Sequence, residues 1–107
     1  NINEEIKSSI FFKCDNFQKT GSFKIRGATN TILQLSKEQL DNSVITTSSG
    51  NHGAALSSAA SKLGTPVKVI LPNNTPKVKV DNVKRYGGEN IFLTLMLSSP
   101  RCVVEDY

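Results

Sequence analysis

Three short strand-like runs, SVITT (43–47) and PVKVIL (66–71), which are rich in β-branched residues, and ENIFL (89–93), alternate with two stretches of helical spacing, and this alternation restricts the fold more than any other feature. The first helical stretch carries Ala54, Ala55, Leu56, Ala59, Ala60 and Leu63 and stops at Gly64, a residue suited to the left-handed turn that ends a helix. The second follows Thr75-Pro76, read as an N-cap and a first-turn proline, buries Val80, Val83 and Tyr86, and ends at Gly87-Gly88. Strands joined through helical crossovers run parallel. The expectation is an α/β fold, an open, largely parallel sheet with flanking helices, that binds ligands at the carboxyl ends of its strands.

Upstream, Ile10, Phe11 and Phe12 form an apolar run between polar segments and read as a further buried strand. From Ser22, read as an N-cap, Phe23, Ile25, Ala28, Ile32 and Leu35 fall on one helical face. The chain starts at Asn1 and has 107 residues, enough for one core but short for an enzyme that closes over a cofactor and a substrate. It is therefore expected to be a piece of a longer protein.

Charge and cysteine usage remove several function classes. Thirteen Lys and Arg against nine Asp and Glu leave a net charge of +4, but the basic residues are spread along the chain and are not interleaved with aromatics as nucleic-acid binding requires. The densest group, Lys77, Lys79, Lys84 and Arg85, reads as a solvated helix face. Cys14 and Cys102 form no CxxC pair, and His52 stands without a neighbouring acidic cluster, so no metal site is expected. No apolar run is long enough to span a bilayer, which makes a cytoplasmic, non-membrane setting the default.

Two runs carry groups capable of chemistry. In GSFKIRGA, Lys24 lies near the start of a helix between Phe23 and Ile25. Spacing alone makes it a solvated surface lysine; partial burial beside a helix N-terminus would instead favour a nucleophilic amine. In SSGNHG, residues 48–53, two hydroxyls, an amide and an imidazole stand at the mouth of a helix. This loop either cradles an anion on free N–H groups or is an ordinary cap in which Ser49 or Asn51 satisfies a backbone donor.

Together, FFKCDNFQKTGSFKIRGA (11–28) and SSGNHGAAL (48–56) resemble the serine racemase and threonine dehydratase group of the fold-type II pyridoxal-phosphate enzymes, over roughly residues 10–91. Threonine dehydratases more often have Ser-Ala-Gly-Asn-His, so the Ser-Ser-Gly-Asn-His of this chain leans toward the racemase members. The resemblance implies pyridoxal 5′-phosphate held as a Schiff base on Lys24, with Lys24 exchanging the α-proton on one face of the substrate and Ser49 on the other. It places Asn51 against the cofactor's ring hydroxyl, and Ser48, Ser49, Asn51 and His52 in the loop that grips the substrate carboxylate. Lys19, Thr20 and Tyr86 match positions that contact an activating nucleotide, with Mg and ATP as activators of the intact family. Arg26 and Gly27 match the pattern without an assigned chemical role, Gly27 being read as a point of close helix packing.

The implied activity is interconversion of L- and D-serine, elimination of water and ammonia from serine to give pyruvate, or both. The alternatives are an L-threonine/L-serine dehydratase, and a non-catalytic relic or binding module. Serine or threonine is the implied partner, and a homodimer the implied assembly of the intact protein. The family's glycine-rich phosphate loop is not found; Gly87-Gly88 sits where the family has a helix-to-strand turn. The implied organisation is a part of the large domain in residues 1–40, most of the small domain in 41–92, and a divergent tail in 93–107.

Overall fold

The computed structural model describes residues 2–93. Its sheet has three parallel strands in the order β1 (Val44–Thr47), β2 (Val67–Pro72) and β3 (Glu89–Leu93). Val44 pairs with Val67 and Thr47 with Ile70, while Lys68 pairs with Glu89 and Pro72 with Leu93. The helices are α1 (Ile2–Glu5), α2 (Lys24–Leu33), α3 (Lys37–Asp41), α4 (Asn51–Ser61) and α5 (Lys77–Arg85). The expected α/β architecture with a parallel sheet is what the chain adopts.

α4 crosses from β1 to β2 and α5 from β2 to β3. Both pack on the face of the sheet that carries Val69, whose Cγ1 reaches the backbone at Gly53. Alternate residues of β2, namely Val67, Val69 and Leu71, are buried on that side. α4 is apolar and small-residue on all faces, and Gly53 to Ala60 are buried without interruption, as a helix enclosed on several sides must be. α2 supplies one of those sides, adding Ile25, Ala28 and Ile32 to the same core.

Two glycines are required by close approach. A Cβ on Gly53 would stand 2.8 Å from Val69 Cγ1, so any larger residue lifts the start of α4 off the sheet. At Gly88 a Cβ would overlap Ser57 Oγ, the hydroxyl that donates to the Gly53 carbonyl at 2.8 Å inside α4. Gly64 ends the α4 segment at φ +73°, as read from the sequence.

Several expectations are corrected. The run Ile10 to Phe12 forms no strand: no described strand pairs with it, and Phe11 and Phe12 are 92% and 73% exposed. Without a partner ladder an apolar run cannot satisfy its backbone in a sheet. Ser22 is not the N-cap of α2. That position belongs to Phe23, which is exposed, although Ser22 Oγ still accepts from Lys24 N at 3.4 Å. Pro76, not Thr75, occupies the N-cap of α5, whose helical residues begin at Lys77. Tyr86 is half-buried at the end of α5, and Leu63 is exposed just beyond α4. The tail from residue 94 onward and Cys102 lie outside the described residues.

Candidate functional site

The turn that delivers Lys24 is tightly wound. Thr20 (φ +72°) and Gly21 (φ +73°) are consecutive left-handed residues, and for a β-branched residue that conformation is strained. Thr20 is buried in a turn that abuts α4, and its Oγ1 has no partner among the described residues. Asp15 Oδ1 approaches Arg26 Nη1 at 4.0 Å, an ion pair without a hydrogen bond. α2 then begins at Lys24 itself.

Lys24 is exposed rather than partly buried. Its Nζ lies 4.9 Å from the centroid of the Phe23 ring and donates no hydrogen bond among the described residues. The side chain borders a cavity of about 490 Å³ between α2 and β1 that is also lined by Phe23, Gly27, Thr46, His52 and Leu56. Gly27 is thus not a packing contact, since a Cβ there would meet nothing within 4 Å; it widens the cavity.

On the other side of the cavity, β1 ends at Thr47 and the chain turns into α4, putting loop 48–53 at the carboxyl end of the strand. The N-cap position of α4 is Gly50, so neither Ser49 nor Asn51 supplies it. Ser48 Oγ accepts from Gly50 N at 3.2 Å and from Gly53 N at 3.0 Å, closing the turn on itself. Ser49, Asn51 and His52 remain exposed. His52 shares the Lys24 cavity. Asn51 faces elsewhere, with Oδ1 3.5 Å from Lys79 Nζ on α5.

The structure therefore brings Lys24 and His52 to one cavity, binds Ser48 to the backbone of the loop, and leaves Ser49 and Asn51 exposed and outside the cavity's lining. Lys19 and Thr20 stand in the turn before α2, and Tyr86 stands at the C-terminal end of α5 with Arg85 6.0 Å from its ring. Lys79 was missed because its helix face read as solvated. The topology held the signal: helices that follow adjacent parallel strands start at the same sheet edge, which brings the first turns of α4 and α5 together.

The family model for pyridoxal-phosphate dependent enzymes matches residues 1–101. The chain belongs to that family. Serine racemase of Arabidopsis thaliana is 53% identical over 91 residues, 85% of this chain and 28% of that protein. L-Threonine ammonia-lyase of Geobacter sulfurreducens is 43% identical over 91 residues, again 85% of this chain and 23% of that protein. Among solved structures, maize serine racemase superposes with a TM-score of 0.83 at 47% identity, covering 92% of this chain and 30% of the other. The chain thus spans less than a third of the length of these relatives.

The residues present fit one end of pyridoxal phosphate. A cavity of about 490 Å³ falls within the roughly 300–1,000 Å³ common for small-molecule sites, and a primary amine and an imidazole open onto it. Among the described residues no glycine-rich loop faces the cavity to receive the phosphate. Among the described residues, Lys24 and His52 are the groups on the cavity that could meet the cofactor.

Proposed function

We propose that the intact protein is a pyridoxal-phosphate dependent enzyme acting on serine, interconverting its enantiomers, eliminating water and ammonia to pyruvate, or both. The observation that carries this reading is the cavity that Lys24 and His52 share, which runs beside β1 between that strand and α2. The high identity to a serine racemase and the parallel likeness to a threonine ammonia-lyase support the substrate class, a small β-hydroxy amino acid. On this reading the large domain's contribution ends near residue 40 and the small domain's begins near residue 41.

Pyridoxal phosphate, when bound, supplies an electron sink that stabilises the carbanion left by loss of an α-proton. Lys24 holds the cofactor through Nζ and moves the α-proton on its own face of the substrate. Ser49, exposed on the loop, exchanges a proton at Oγ on the opposite face; racemisation needs such a group on each side. Asn51 donates toward the ring oxygen, and Ser49 and His52 meet the substrate carboxylate at the start of α4, where N–H groups and helix dipole favour an anion. Ser48 acts on that carboxylate indirectly, because its oxygen is committed to the turn. Mg and ATP, with Lys19, Thr20 and Tyr86 on the nucleotide, belong to the same proposal as activators of the intact enzyme, as does a homodimer.

The second reading, an L-threonine/L-serine dehydratase, shares the first proton removal and differs in whether the β-hydroxyl leaves. Proton NMR of L-serine in D₂O with the full chain and pyridoxal phosphate tests both. Loss of the α-proton signal with D-serine formation supports racemisation, and pyruvate formation supports elimination. An α-proton signal that persists unchanged at high protein concentration contradicts both, and favours a non-catalytic relic of the family.

A further inference from the structure

Lys79 stands in the first turn of α5, and its Nζ lies 3.5 Å from Oδ1 of Asn51 in the first turn of α4. An ammonium has only donors, whereas a carboxamide has an acceptor at one corner and two donors at the other. The oxygen of Asn51 must therefore turn toward Lys79. Its Nδ2 donors meet no acceptor among the described residues and are left available to a ligand.

From this geometry we infer that Lys79 is a positioning residue that fixes the polarity of Asn51, so that the loop offers a donor and not an acceptor to its ligand. Without Lys79 the carboxamide is free to rotate by half a turn at little cost and present Oδ1 instead. The ligand group selected is an oxygen acceptor, best an ionised phenol-type oxygen, because hydrogen bonds to charged acceptors are the stronger ones. The inference rests on the proposed cofactor site, in which Asn51 meets the ring oxygen. Lys79 itself touches neither cofactor nor substrate in this assignment and acts through Asn51 alone. The ammonium also adds positive charge where two helices start, reinforcing the preference for an anion.

Two measurements on the full chain separate this inference from the function it rests on. ¹⁵N–¹H spectra without cofactor read the Asn51 carboxamide directly, its signals being assigned by their loss in Asn51→Ala. Lys79→Met is expected to shift those signals while backbone amides of α4 beyond Gly53 stay in place. Lys79→Arg, which restores a donor, returns them toward the wild-type position. In the second measurement, Lys79→Met weakens pyridoxal phosphate binding about fivefold when Asn51 is present and by less than about twofold in Asn51→Ala, as a pairwise coupling requires. Carboxamide signals unmoved in Lys79→Met, or equal losses of affinity in both backgrounds, overturn the inference. Signals that respond in a chain that takes up no pyridoxal phosphate uphold the positioning of Asn51 and overturn the cofactor reading instead.

Discussion

Ser48 Oγ lies 3.0 Å from the backbone nitrogen of Gly53, and this contact divides the labour within the loop. One hydroxyl holds the turn, so its neighbours Ser49, Asn51 and His52 are spared that role and stay exposed. The same turn brings Gly53 close enough to Val69 to fix where α4 starts relative to β2. The position of the loop is thus set by packing at one residue and by a side-chain hydrogen bond at another.

Replacing Ser48 by Ala removes the oxygen that accepts from Gly53 N and is expected to lower stability by about 1 kcal/mol. Urea unfolding measures the loss, and faster hydrogen exchange at Gly53 localises it. Ser49→Ala, at an exposed position, changes stability by less than about 0.5 kcal/mol. Equal effects of the two substitutions would contradict the role given to the Ser48 hydroxyl in holding the turn.

Gly53→Ala and Gly27→Ala are expected to act in opposite directions. The new methyl at position 53 meets Val69 Cγ1 at 2.8 Å and should destabilise by about 1–3 kcal/mol through overpacking. At position 27 it meets nothing within 4 Å and lies inside α2, so it should stabilise by about 0.5–1 kcal/mol. Thermal unfolding midpoints of the two variants check the contrast.

Ile32 is 1% exposed and is the largest side chain that α2 buries fully. Ile32→Ala should destabilise by about 2–5 kcal/mol, a large part of the stability of a small domain. Because α2 packs on α4, the loss should appear as weakened hydrogen-exchange protection in both helices. Protection lost in α2 alone would show that the two do not share one core.

Much of this was legible in the sequence because the signals were local or periodic. β-Branched runs marked β1 and β2, an apolar run after Gly87-Gly88 marked β3, and a glycine stop marked the end of α4. The strand expected at Ile10 to Phe12 fails for a non-local reason: apolar composition does not reveal whether a neighbouring strand is there to pair with it. α3 was overlooked although its signature is plain, Ser36 and Gln39 forming a reciprocal capping box at 2.8 and 3.3 Å. In the candidate site, Lys24 and residues 48–53 stood out as motifs. The bond from Gly53 to Ser48 and the reach of Lys79 to Asn51 depend on three-dimensional juxtaposition, the first across five residues and the second across 28.

The most direct test of the central claim is covalent. The full chain is mixed with pyridoxal phosphate, reduced with borohydride, and the modified peptides are mapped by mass spectrometry. If Lys24 is the attachment residue, the label concentrates on the peptide that contains it and total labelling falls sharply in Lys24→Ala. Label spread evenly over the exposed lysines, and undiminished in Lys24→Ala, would contradict the account.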